Sequence, residues 1–158
     1  NLKDPRIEEF LRKQVFKFKT GITGTTREEI RQALLAGERL GEGITQIADR
    51  INAIFDNANQ ARALRIAQTE MVGAANFGGL EGMSQSGVVS GKQWLSARDG
   101  QVRDSHQAMD RETDPAQGGT PAHLMEPFMN GLMYPGDQAG SPDEVVNCRC
   151  VLLEVVRR

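Results

Sequence analysis

The sequence predicts an α+β fold, with N-terminal helices packed against a small mixed or antiparallel sheet and a long ordered loop. Three observations predict it. Helix signals and helical apolar spacing recur through about residue 80. The chain closes on Cys150-Val-Leu-Leu-Glu-Val-Val156, a β-branched run suited to a strand buried on at least one face. Between them, residues 110–146 carry most of the prolines and many glycines with little periodicity; a loop that long inside a compact domain is usually functional or disordered.

The elements follow in order. A first helix is expected over residues 5–18, because Pro5 suits a first turn, and Thr20-Gly-Ile-Thr-Gly24 breaks it. Thr26-x-x-Glu29 reads as a capping box for a second helix closing near Gly37. Gly41-Glu42-Gly43 is a turn, and Thr45 is the expected cap of a third helix carrying Ile47, Ala48, Ile51, Ile54 and Phe55. A fourth helix runs from about Asn59 to Phe77, with a frayed extension to Gly87. Its expected apolar face is Leu64, Ala67, Met71, Ala74 and Ala75. Lys92–Ala97 suits a strand, Arg98–Gln101 a turn, and Val102–Met109 a short helix carrying Arg103 and His106. Leu132-Met-Tyr-Pro135 is a candidate strand within the long loop.

Composition bounds the function. Apolar residues at 39% and charged residues at 25% are ordinary for a globular domain of 158 residues. A net charge of −2 argues against a domain whose main work is neutralising nucleic-acid phosphates. Charge is uneven, however: residues 1–40 hold nine Lys/Arg against six Asp/Glu, and the excess clusters at Arg12, Lys13, Lys17 and Lys19. That cluster fits either contact with DNA or an acidic protein surface, or the solvated face of an amphipathic helix. No apolar run approaches the roughly 20 residues that span a bilayer, and no signal-peptide pattern is present. The start at Asn1 suggests part of a longer protein. The only cysteines, Cys148 and Cys150, are two apart. On a strand that spacing puts them roughly 6–7 Å apart, at or beyond disulfide reach.

Several residues are chemically suggestive. Trp94, the only tryptophan, anchors a core or offers a stacking platform. If residues 102–109 are helical, Arg103 and His106 share a face, and Asp99 precedes the helix where a carboxylate caps it. That group reads either as a capped helix with a polar face, or as a site where His106 is a base or metal ligand. Cys148-x-Cys150 can supply thiolates to zinc with a nitrogen from His106 or His123, or two small buried thiols at a strand entrance. Thr69-Glu70 places a carboxylate on the fourth helix, in a salt bridge or in a catalytic role.

Taken in order, these segments carry a resemblance. Ala67-Gln-Thr69-Glu70 is followed by Gly87-x-x-x-Gly-Lys-x-Trp94. Next come Asp99-x-x-Val-Arg103-x-x-His106, Leu132-Met-Tyr-Pro-Gly-Asp137 and Val146-Asn147-Cys148-Arg149-Cys150. Over residues 45–156 the series resembles the phage Mu protein F-like family, the minor head or head-morphogenesis proteins of tailed phages. The resemblance implies a helical arm over 1–43 and a Mu F-like domain over 44–158. It implies a virion protein acting in head assembly, present in the host cytoplasm during assembly and then in the particle, with portal or major capsid protein as partners. Packaged DNA is a further expected contact through the basic segment; a membrane is not. No catalytic residues carry over.

Two departures stand out: Gln68 replaces a common arginine, and Arg103 and Val145 occupy positions where many relatives have zinc-ligand residues. The expectation is therefore no cofactor, and a structural clamp or possible site built from Thr69, Glu70, Trp94, Asp99, Arg103, His106, Asn147, Cys148, Arg149 and Cys150. The competing readings are an ADP-ribosyltransferase-like enzyme with a nicotinamide pocket at Arg65, Thr69 and Glu70, and a small zinc-stapled module using His106, Cys148 and Cys150.

Overall fold

A computed structural model describes residues 5–6, 9–10, 24–55 and 60–156. The expected helix over 5–18 therefore lies largely outside the described residues, as do Arg12, Lys13, Lys17 and Lys19. Pro5, Arg6, Glu9 and Phe10 are helical, and Phe10 is buried with its ring stacked on Phe77 at 4.7 Å.

Helix α1 spans Gly24–Leu40, α2 Ile44–Ile54 and α3 Gln60–Ser86. α1 runs through Gly37 to Gly41, which takes the left-handed conformation at φ +70°. There the Gly41 and Glu42 N–H groups close back on Glu38 and Gly37 carbonyls. Gly37 stays helical because its missing side chain lets Ile47 approach; a Cβ there would lie 2.4 Å from Ile47. The cap of α2 is Gly43, not Thr45: its N–H donates to Gln46 Oε1 at 2.9 Å. α1 packs on α2 through buried Ile30, Leu34, Leu35, Ile47 and Ile51.

The buried stripe of α3 is Ala63, Ile66, Ala67, Glu70, Gly73 and Ala74. This corrects the expected face, for Leu64 and Ala75 are exposed. The stripe keeps helical spacing but passes through Glu70 and Gly73, which an apolar criterion skips. Gly73 is buried because the loop backbone at Gly136 crosses it; a Cβ on Gly73 would meet Gly136 O at 2.9 Å.

The sheet has three antiparallel strands in the order β2-β1-β3, where β1 is Val89–Leu95, β2 Ala122–His123 and β3 Val151–Val156. Trp94 faces Leu152 and Gln93 faces Leu153 across the β1–β3 ladder. Leu132–Pro135 is not a strand. Turns at Gly131 and Gly136, both with φ near +80°, fold it over α3, and Phe128 N–H donates to Leu132 O. The third strand is instead the two-residue β2, which pairs with Gly91 and Lys92.

Helix α4, Asp104–Thr113, takes over that side of β1 beyond β2. Trp94 N–H donates to Thr113 Oγ1, and Ser96 N–H to Asp110 Oδ2. Arg103 is the residue before α4 rather than on its face, and Asp99 does not cap the helix but accepts Gln101 N–H in the preceding turn. A one-turn helix α5, Pro142–Val145, precedes Asn147.

On the other side, the buried Asn76 of α3 stands in for a strand partner of β3. Its Nδ2 donates to Cys150 O and Pro135 O, and its Oδ1 accepts Leu152 N–H. One carboxamide thus satisfies a carbonyl and an N–H on one edge of the strand entrance and a loop carbonyl, groups that would be costly to bury unpaired. Among the described residues, no helix is long and apolar enough to cross a membrane.

Candidate functional site

The sequence-predicted residues converge where α4, α5 and the entrance to β3 meet. The left-handed backbone at Asn147, φ +59°, turns the chain into the Cys148-Arg149-Cys150 segment. Asparagine tolerates that conformation better than most side chains. The turn is held from both sides: Asn147 N–H donates to Thr69 Oγ1 on α3 at 2.9 Å, and Arg103 Nη2 donates to Val146 O.

Both cysteine side chains are buried, unpaired as a disulfide, and turned onto His106. His106 Nδ1 lies 3.4 Å from Cys150 Sγ and 3.7 Å from Cys148 Sγ. Trp94, fully buried, packs edge-on against the imidazole at 4.9 Å and against Phe128 at 5.2 Å. On the far side of the ring, His106 Nε2 lies 3.1 Å from Glu144 Oε2. Ser105 Oγ donates to Glu144 Oε1, and Asn130 Nδ2 to Glu144 Oε2. A carboxylate only accepts, so Glu144 places the proton on Nε2 and leaves the Nδ1 lone pair aimed at the two sulfurs.

The two thiols are driven apart electrostatically. The hydrogen bond from Cys148 holds the Cys150 thiol well below the ordinary cysteine range. That same contact, with burial, pushes Cys148 upward.

The remaining predicted residues sit close by with structural partners. Asp99 and Arg149 form a two-pronged exposed ion pair, 2.7 and 2.8 Å. Buried Glu70 accepts Gln138 Nε2 at 2.8 Å, and Thr69 Oγ1 donates to Arg65 O. Thr69 and Glu70 are therefore joined to the Asn147 and Gln138 segments, apart from the His106 cluster.

Four features escaped sequence reasoning. Glu144 and Asn76 carry no local signal, since their partners lie 38 and 59–76 residues away. Lys92 is fully buried, with Nζ donating to Met133 O and lying 4.9 Å from the Phe128 ring centroid; burial lowers its pKa to about 8. Arg98, left-handed at φ +51°, bridges Asp110 at 2.8 Å and Asp114 at 2.6 Å. Its guanidinium holds the Asp110 carboxyl below its usual range. The spacing of Asp110 and Asp114, one helical turn apart, was the available clue.

The sequence profile described as "Phage Mu protein F like protein" matches residues 25–153. The chain belongs to this family. This is the family to which the ordered sequence motifs pointed. A curated relative, the NAD(+)--arginine ADP-ribosyltransferase EFV of Enterococcus faecalis, is 28% identical over 151 residues, covering 92% of this chain. The chain spans 28% of that relative's length. No solved structure gives a significant match.

Proposed function

We propose that this chain is a minor head protein that binds the portal or major capsid protein during head assembly and is packaged in the virion. The observation that carries the reading is the family match across residues 25–153, nearly the whole of the described domain. The geometry is in keeping with a binding role. Thr69, Glu70 and Arg103 are each engaged in holding one segment to another. Met125 and Met129 stand exposed on the long loop, and Val151 and Val156 on β3, at an edge of the sheet. Exposed apolar side chains of this kind suit contact with another protein. Co-expression with the cognate portal and major capsid proteins tests the reading. Recovery of the chain on portal-containing particles supports it; recovery only as a free species, with particles unaffected, refutes it.

The relative's name favours one second reading, an ADP-ribosyltransferase-like activity. It requires Arg65, Thr69 and Glu70 to receive a nicotinamide dinucleotide, but in this structure Thr69 and Glu70 are occupied by Asn147 and Gln138. Incubation with labelled NAD separates the two readings: transfer to protein or release of nicotinamide, abolished in Glu70→Gln, would establish the enzyme.

A further inference from the structure

Three soft ligands meet at one point in the interior. His106 Nδ1, Cys148 Sγ and Cys150 Sγ lie within 4.8 Å of one another, and all three residues are buried. Hydrogen bonding explains this arrangement poorly. A thiol is a weak donor, and one imidazole lone pair cannot fully accept from two of them. A tetrahedral ion explains it well. With zinc–sulfur near 2.3 Å and zinc–nitrogen near 2.0–2.1 Å, tetrahedral geometry separates nitrogen and sulfur ligands by about 3.6 Å. The observed separations are 3.4 and 3.7 Å.

The surroundings fit as well. His106 offers Nδ1 while Nε2 is held by Glu144, itself fixed by Ser105 and Asn130. This is the carboxylate–histidine support that orients a metal-bound imidazole. A cavity of about 20 Å³, bordered by His106, Asn147, Arg149 and Cys150, adjoins the cluster. It has room for one water molecule, the missing fourth ligand. Two thiolates also neutralise a divalent charge in a buried site.

We infer that His106, Cys148 and Cys150 bind a single zinc ion, with water in the fourth position. The ion fastens α4 to the entrance of β3 by a bond stronger than the thiol–imidazole contacts alone. Two thiolates and an imidazole suit zinc better than magnesium or calcium, which prefer oxygen. This site is independent of the assembly role, so either can fail without the other.

Elemental analysis of the purified chain, produced with zinc in the medium, tests the inference. The expected result is about one zinc per chain, with neither thiol reacting freely until a chelator is added. Chelation lowers the melting temperature, and zinc restores it. Cobalt substitution gives thiolate-to-cobalt charge transfer in the near ultraviolet, lost in Cys148→Ser and in Cys150→Ser. His106→Cys retains the ion, because a third thiolate replaces the imidazole. Glu144→Gln, a positioning residue, weakens zinc binding roughly 10–100-fold, measured by competition with a chelator on the folded variant. A folded wild-type chain that takes up no zinc when it is supplied, with a melting temperature indifferent to chelator, overturns the inference. So does finding Cys148 and Cys150 joined in a disulfide in freshly purified protein.

Discussion

Asn76→Ala probes the point where α3 meets the sheet. The carboxamide makes three buried hydrogen bonds of 2.9–3.0 Å, to Pro135 O, Cys150 O and Leu152 N–H. A net contribution of about 1 kcal/mol each gives about 3 kcal/mol, and the penalty for partners left unsatisfied raises this to roughly 3–5 kcal/mol. Domain stability is only about 5–15 kcal/mol in total, so the variant should be severely destabilised. Urea unfolding measures the loss as a lower midpoint at unchanged slope. Hydrogen exchange locates it: Leu152 N–H should lose protection ahead of the β1–β3 ladder. Asn76→Asp is the chemical control. It keeps an acceptor for Leu152 N–H but turns a charge on two carbonyls, so its carboxyl pKa is raised in the folded state. Its stability must therefore recover as pH falls through that raised pKa. A loss below about 1 kcal/mol in Asn76→Ala, with Leu152 still protected, would refute the idea that this side chain substitutes for a strand.

Other tests reach different parts of the molecule. Lys92 has a lowered folded pKa of about 8, so the unfolded chain binds more protons between there and the ordinary lysine range; stability should rise with pH across that window, and Lys92→Met should abolish the rise in pH-dependent melts. Asp110 has a depressed folded pKa, so its contribution is present above the unfolded value of about 3.9 and is lost on acidification below it; Asp110→Asn should flatten that acid limb in urea titrations. Gly136→Ala should destabilise more than Gly73→Ala, which itself costs about 1–3 kcal/mol by crowding, because Gly136 adds a φ of +82° to the same backbone crossing. Arg149→Ala removes an exposed pair with Asp99 and should leave the melting temperature unchanged.

The sequence carried the local elements well. Helical spacing around Ile47 and Ile51, the β-branched run after Cys150 and the anchoring role of Trp94 all follow from side-chain chemistry within a few residues. Errors arose where distant backbone decided the outcome. α3 buries Glu70 and Gly73 because loop residues 136–138 lie on it, and no apolar pattern encodes that. Leu132–Pro135 has strand-like composition, yet the turns at Gly131 and Gly136 bend it away, leaving β1 to pair with Ala122–His123. At the candidate site, the ordered motifs named His106, Cys148 and Cys150, whereas their meeting on one nitrogen depends on the left-handed Asn147 and on Glu144. Neither feature has a periodic signature.

Assembly into the phage head is tested most directly by quantitative mass spectrometry of gradient-purified particles from wild-type phage and from a phage lacking this chain. The expected result is the chain present in wild-type particles at a fixed ratio to the portal, with head assembly impaired in its absence. Particles that never contain it, and that assemble and package equally well without it, would contradict the assignment.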